Sequence, residues 1–509
     1  MPSKEQKKCF LCPLLGVAKC SNCEVYYCTA EHAALHSDGS YCFPYKVHKV
    51  GYIKEKGRVL YATRDIKPLE LILVDPGTVV GPNYRSTCVC ITCLKGLDSI
   101  TLCTGCSYPV CDEKCMREER HMKECCLLAK SSANAKQITK SGISEGYAPV
   151  TILRVLLLAE SLSESWTRTN ELMDHLTEKT VHPLEWDWYE NSIIRYIRED
   201  LALAKRFSVK DIERSIGLLN VNAVCLQFSK ARGIPAKEVG KGLYPIFAIM
   251  SHECICNARY IVDPKTFKMY VRARVSIKAG TELTVQYLSA LWGTFKRRKK
   301  IKEEWYFDCT CRRCSDPTEC GTYSSGVQCL DCNTGILLPE DPLDYSSPWA
   351  CNRCSLAISS SRIQTLVEDI ESEVDSILTT QQYWRYKEIL LKYSGTILHP
   401  AHWILTTARR NLIQYLCYSN TEDVLHILNV EERFKLCEDF LNVLKKVDPG
   451  WSELNMFILR EYHFAKLNIL ERYYASGVIN IAEFSVKSRN SIEALDKVKK
   501  QNEYLEFDT

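Results

Sequence analysis

At 509 residues, with 46% hydrophobic and 25% charged side chains, the chain has the make-up of ordinary globular protein and room for several domains. A net charge of +4 over that length excludes the strong basic field of a general nucleic-acid binder. No apolar run is long enough to span a bilayer, since the best one, 150–159, is broken by Arg154.

The opening, MPSKEQKKCF, has no hydrophobic signal region, which points to an intracellular, reducing compartment. There, twenty-eight cysteines are expected as metal ligands rather than disulfides. The first eight-ligand pattern follows at once: Cys9, Cys12, Cys20, Cys23, Cys28, His32, His36 and Cys42, with His48 as a rival for the last pair. Residues 50–80 then carry short β-branched runs punctuated by Gly and Pro, which predict strands and turns. They are interrupted by a second set of four close pairs: Cys90 and Cys93, Cys103 and Cys106, Cys111 and Cys115, His121 and Cys125. Each Zn(II) takes four such ligands, so the set implies two ions, and so short a segment depends on them for its fold. From 148 to 215 apolar residues recur at helical spacing, and strand-like text returns from Tyr260 to Tyr287. Cys309, Cys311 and Cys314 form an incomplete tetrad, for which Cys254 and Cys256 are the candidate fourth ligands. Cys329, Cys332, Cys351 and Cys354 read as a one-zinc ribbon, which brings the expected total to about six ions. From 363 onward the chain predicts antiparallel helices: Ile404, Ala408, Leu412 and Tyr415 form one stripe, Phe440, Leu444 and Val447 another, and Ser452 is placed to cap the next helix. The run Lys296 to Lys300 is either a nuclear localisation signal or, as the reading preferred here, a solvated helix face.

The spacing of the 90–125 set resembles a MYND finger, and the resemblance implies that its first and third pairs share one zinc and its second and fourth the other. GLYPIFAIMSHECICN (242–257) resembles the SET-domain signature GLYPxxxxxNHSCxPN, GTELTVQY (280–287) resembles GEELTxxY, and WYFDCTCRRC (305–314) resembles the post-SET tail. A MYND finger splitting a SET domain, with a helical C-terminus, resembles the SMYD family of protein-lysine methyltransferases. VNAVCL (221–226) and LHPAHWILTTARRNL (398–412) extend that likeness, while the extra finger and the ribbon look most like the arthropod SmydA group. The implied architecture is α+β and multidomain: a β-rich SET fold split by a MYND zinc finger, additional zinc modules, and an all-α helical array. The expected bounds are a MYND-like finger at 1–47, the first SET part at 48–87, the inserted finger at 88–130, a helical insert at 131–215, the SET core at 216–290, the post-SET segment at 291–320, the ribbon at 321–358, and a TPR-like helical domain at 359–509.

The resemblance implies transfer of a methyl group from S-adenosyl-L-methionine to a protein lysine, histone or non-histone. The methyl is already activated, so the protein's work is alignment and exclusion of water. The amine must also lose its proton, from an ordinary pKa near 10.4. Tyr287 matches the family's catalytic phenol. Arg58, Asn222, Ser251, His252, Tyr287 and Phe307 match cofactor-contacting positions, and alignment gives Cys254 to the tail zinc in preference to Cys256. Four departures favour a rival reading as a catalytically impaired adaptor: Ser251 stands for the family Asn, Glu253 for Ser, Cys256 for Pro, and Val59 for a Gly of the KGRGL loop. Further expectations are proline-rich peptides at the fingers, no direct contact with nucleic acid or membrane, a monomer, and a cytoplasmic or nuclear location.

Overall fold

The computed structural model describes residues 47–130, 145–227, 238–418 and 430–502 except Asp98 and Gln381, together with Ile138 and the amino-terminal positions 16–19, 26–30 and 33. At the amino terminus β1 (Ala18–Lys19) pairs with β2 (Tyr26–Tyr27). The other ligands of the first finger, Cys28 apart, lie outside the described residues.

The predicted strands of 48–80 are β3 (His48–Ile53), β4 (Gly57–Ala62), β5 (Leu71–Asp75) and β6 (Val79–Gly81). β3 and β4 form a hairpin whose turn ends on Gly57 at φ +78°, a conformation that suits a residue without Cβ. The second finger follows, with β7 (Thr101–Leu102), β8 (Pro109–Val110), α1 (Glu113–Met116) and α2 (Glu119–Leu128). The insert contributes α3 (Ala148–Glu160), α4 (Glu164–Asn170), α5 (Pro183–Trp188), wider helical turns over 189–200, and α6 (Val209–Asn222). A Ser208–Asp211 capping box starts α6. The helix runs to Asn222, past the expected boundary at 215, because its buried face (Ile212, Ile216, Leu219) continues the helical spacing.

The chain then returns to sheet as β9 (Ala223–Gln227), β10 (Glu238–Leu243), β11 (Ser251–His252), β12 (Ala258–Val262), β13 (Met269–Ala273) and β14 (Thr284–Val285). Strands from both sides of the finger share sheets, in the orders β6-β10-β9 and β12-β13-β5. The buried residues from Val47 to Val285 therefore form one core, and the finger packs into it through Cys90, Ile91, Cys103 and Tyr108. Asp75 fixes the approach to the site: its buried carboxylate accepts the backbone N–H groups of Ile246 and Phe247 at 2.8 and 3.0 Å.

Helix α7 (Thr294–Trp305) leads to the ribbon strands β15 (Val327–Gln328), β16 (Ile336–Pro339), β17 (Trp349–Cys351) and β18 (Ala357–Ile358). The predicted helical region is α8 (Ser360–Thr380), α9 (Arg385–Tyr393), α10 (Trp403–Tyr418), α11 (Val430–Val447), α12 (Glu453–Ala475) and α13 (Ile481–Asn502). Ile404, Ala408, Leu412, Phe440, Leu444 and Val447 are buried, and Ser452 caps α12 by accepting from Asn455 N, as the sequence predicts. Arg274 ties these helices to the SET core: it is buried, pairs with Asp448, and donates to Trp451 O at 3.0 Å. Gly450 lies against Arg274 O, where a Cβ would approach to 2.3 Å, and its φ is +81°. Among the described residues no single helix is long and apolar enough to cross a membrane.

The Lys296–Lys300 expectation is corrected in part. Arg297 and Arg298 are 1% and 3% exposed, while Lys299 is exposed and Lys296 and Lys300 are half-buried, so only the lysines of the run face solvent. Both guanidinium groups are consumed by buried partners, described below.

Candidate active site and metal centres

Four tetrads of soft ligands assemble among the described residues: Cys90, Cys93, Cys111 and Cys115; Cys103, Cys106, His121 and Cys125; Cys254, Cys309, Cys311 and Cys314; Cys329, Cys332, Cys351 and Cys354. A tetrahedron with Zn–S bonds of about 2.3 Å places sulfurs ~3.8 Å apart. The separations fit: Cys103 to Cys125 is 3.7 Å, Cys254 to Cys314 is 3.5 Å, and Cys332 to Cys351 is 3.8 Å. The crossed pairing expected of the second finger is present, and with zinc bound each tetrad is a closed structural centre. His121 is fully buried, and its Nδ1 lies 3.5 Å from Glu124. Glu124 in turn takes Arg154 Nε at 2.7 Å, so the charge that breaks the apolar run of α3 orients a zinc ligand through its partner. Of the six ions expected, four have assembled sites here, and the two of the first finger fall outside the described residues. His48, the rival ligand there, places its Nδ1 3.3 Å from Ile72 O.

Cys254, not Cys256, completes the tail tetrad. Cys256 Sγ instead takes Arg274 Nη1 at 3.2 Å, at the junction with the helical region. Cys311→Ser should therefore remove one zinc per chain and lower the melting temperature. Cys417→Ser should do neither, because Cys417 belongs to no tetrad and its bond from Arg433 (3.2 Å) is one that a hydroxyl can also accept. Elemental analysis with thermal melting checks both, and equal zinc contents would contradict the tetrad.

The candidate active site grows from the parallel pair β11–β14, where Ser251 faces Thr284 and His252 faces Val285. Asn257, the last residue of the 242–257 motif, locks the pair: its Oδ1 accepts Thr284 N at 2.9 Å and its Nδ2 donates to Glu282 O at 2.7 Å. Tyr287 N donates to His252 Nδ1 at 3.1 Å, which leaves the imidazole proton on Nε2, aimed at Cys254 Sγ 3.3 Å away. One imidazole thus connects the tail tetrad to Tyr287. The Tyr287 hydroxyl donates to Met250 O at 2.7 Å, and its ring lies 5.1 Å from Trp305 and 5.2 Å from His252. Burial, with the charge of Glu282, holds this phenol above its ordinary pKa. Phe307, two residues before the first tail ligand, faces His252 at 6.4 Å and is 37% exposed. Glu253, beside Cys311, has its carboxyl raised to about 8 by burial and that neighbouring thiol.

The side chains of Arg58 and Asn222 meet instead on one segment of the insert. Arg58 Nη1 pairs with Glu171 at 2.6 Å, and Asn222 Nδ2 donates to Met173 O at 2.8 Å. The same segment carries His175, stacked 5.1 Å from Tyr306. Trp305, Asn257 and the 171–175 segment were not singled out from sequence. The first two sit inside the quoted motifs, whereas nothing local marks the third. The Val59 side chain is fully covered, so its extra bulk is packed inside the protein.

A SET-domain family model matches residues 57–288. The SET domain-containing protein SmydA-8, isoform A, of Drosophila melanogaster is 26% identical over 423 residues, covering 80% of this chain and 86% of that protein. Histone-lysine N-methyltransferase ASHR1 of Arabidopsis thaliana is 25% identical over 342 residues, covering 64% and 67%. Histone-lysine N-methyltransferase Smyd1 of Mus musculus is 26% identical over 278 residues, covering 51% and 54%. Residues 57–288 thus match a SET domain with a finger of crossed tetrads inside it, and the chain is similar over most of its length to SmydA-8 and over about half of it to Smyd1.

Proposed function

We propose that the chain is an S-adenosylmethionine-dependent protein-lysine N-methyltransferase acting on a histone or non-histone lysine. The observation that carries this reading is Tyr287, held between His252 and Trp305 with its hydroxyl fixed on Met250 O, beside the tetrad that anchors the Phe307 tail. The aromatic walls and the half-buried Ser251 suit a cationic, adenine-bearing donor. Ser251, His252, Phe307 and Tyr287 would hold it, with Arg58 and Asn222 reached through the 171–173 segment. When bound, the donor supplies a methyl group already activated on a sulfonium.

The residues around it align the acceptor and exclude water. Their apolar faces disfavour charge on a lysine amine, and the Tyr287 oxygen, its proton committed to Met250 O, offers lone pairs to developing positive charge. The relatives named as histone-lysine methyltransferases support a protein lysine as acceptor. The finer readings are a monomer in nucleus or cytoplasm, with proline-rich segments at the fingers and no direct contact with nucleic acid.

Calorimetric titration with S-adenosylmethionine tests the reading. The wild type binds, and Ser251→Asn, whose longer amide reaches what the hydroxyl cannot, binds tighter by about one hydrogen bond, roughly 0.5–1.5 kcal/mol. Absence of binding in both proteins at millimolar donor would favour the adaptor reading instead.

A further inference from the structure

Arg298 lies in the basic run of α7, yet it is 3% exposed and faces two zinc modules at once. Its Nε donates to Cys309 O at 3.1 Å, the backbone of the first tail ligand. Its Nη1 donates to Leu343 O at 2.7 Å and Pro342 O at 3.3 Å, in the loop between β16 and β17 of the ribbon. The Tyr345 ring of that loop lies 4.9 Å from the guanidinium carbon. Leu343 packs against the cluster formed by Ile301, Cys254, Cys309 and Cys314. The loop is itself pinned from below, since Tyr345 O accepts from Ser360 Oγ at 2.6 Å and Gln364 Nε2 at 3.1 Å, both on α8. It springs from strands that carry the ribbon site: Leu337 of β16 pairs with Cys351 of β17.

From this geometry we propose that the ribbon is a brace for the post-SET tail, with Arg298 as the positioning residue that transmits it to the cofactor site. The inference rests on the methyltransferase reading. The tail needs such support because it is irregular chain: from 307 to 311 it makes no strand or helix, and its tetrad fixes only its cysteines. Phe307 is two residues upstream of the carbonyl that Arg298 holds, so the position of that carbonyl sets where the ring can lie. The planar fork of an arginine serves tail and loop in one plane while its face takes a phenol ring. An ammonium cannot do all three. The ribbon thus acts on the active site without touching it, through its loop, Arg298 and Cys309, and its tetrad would hold the zinc that stiffens it.

Two variants test this in the full chain, Tyr345→Ala and Arg298→Lys. Three measurements are made on each: amide hydrogen exchange over 307–314, calorimetric affinity for S-adenosylhomocysteine, and steady-state kinetics. Both variants should speed exchange in 307–314 while zinc content stays at the wild-type value. Affinity should fall about three- to tenfold, the scale of one lost cation–π contact or hydrogen bond, with KM for the donor rising in step. Turnover at saturating donor should stay within about twofold of wild type, since neither residue reaches the reacting atoms. Unchanged exchange over 307–314 in Tyr345→Ala, the milder change, overturns the brace, as does a fall in turnover with KM unmoved. Should the wild type bind no S-adenosylhomocysteine, the methyltransferase reading fails, and the exchange measurement still decides whether the ribbon holds the tail.

Discussion

Glu319→Gln should lower the unfolding free energy of the chain by about 3–5 kcal/mol, the range for removing one partner of a buried ion pair. Glu319 is fully buried between two buried arginines: Arg297 Nη1 lies 2.9 Å from its Oε2, and Arg313 Nη2 lies 2.8 Å from the same atom. Its other oxygen accepts Thr294 N at 3.2 Å, at the start of α7. Arg297 also donates to two thiols of the tail tetrad, through Nε to Cys254 Sγ at 3.3 Å and Nη2 to Cys314 Sγ at 3.6 Å. A zinc held by four thiolates carries net negative charge, which Arg297 offsets and Glu319 keeps in register. Neutralising Glu319 leaves two guanidinium groups facing each other in the interior. Burial alone would raise the Glu319 carboxyl; the charges of Arg297 and Arg313 outweigh it and bring it down to about 2. A carboxyl lowered on folding contributes stability in full above its unfolded value, near 4.5, and loses it as pH falls through that value towards 2. The stability difference between wild type and Glu319→Gln should therefore shrink between pH 5 and pH 2, read by denaturant unfolding at each pH. A difference that is constant over that window would mean that lost packing, not lost charge, causes the effect.

What was legible in the sequence follows from where each signal resides. Zinc ligands are read from local spacing, because close pairs have little use other than metal; the ribbon site stands where its spacing puts it, and the pairs of 90–125 are crossed as the MYND resemblance implies. The helical stripe of 440–447 is legible for the same reason, since burial follows the 3.6-residue period; Ile404, Ala408 and Leu412 are buried along with most of their helix, and Tyr415 is half-buried. Charge is read less well. Arg154, Arg274, Arg297, Arg298 and Arg313 are all buried, each satisfied by a carboxylate or carbonyl distant in sequence, which for Arg313 is Ala290 O. A run such as Lys296–Lys300 looks solvated because nothing local announces Glu319 or the ribbon loop. The site divides along the same line. Ser251, His252, Tyr287 and Phe307 gather as their motifs imply, because those motifs are neighbours in the sheet or flank the tail tetrad. Arg58 and Asn222 are drawn to the insert by residues 171–173, and no spacing rule points to that segment.

Tyr287→Phe should reduce methyl transfer by about 10²–10³-fold, the effect of deleting one preorganised polar group at a reacting centre, while affinity for S-adenosylhomocysteine changes by no more than about twofold. The ring is fixed by contacts that do not need its oxygen: Trp305 at 5.1 Å, His252 at 5.2 Å, and the Tyr287 amide bound to His252 Nδ1 at 3.1 Å. The phenylalanine ring is therefore expected to keep its place, with Met250 O losing the donor it has at 2.7 Å. That loss costs about 1 kcal/mol of stability and leaves the fold standing. On the methyltransferase reading the phenol would serve as a neutral dipole rather than a base, because burial and the charge of Glu282 raise its pKa above the ordinary value. The pH dependence of turnover should accordingly report the lysine amine, with the rising limb at the same pH in Tyr287→Phe as in wild type and only its height reduced. A rising limb that shifts in the variant would make Tyr287 the proton acceptor. Wild-type turnover in the variant would place the reacting atoms away from this phenol, and with them the active site built on β11 and β14.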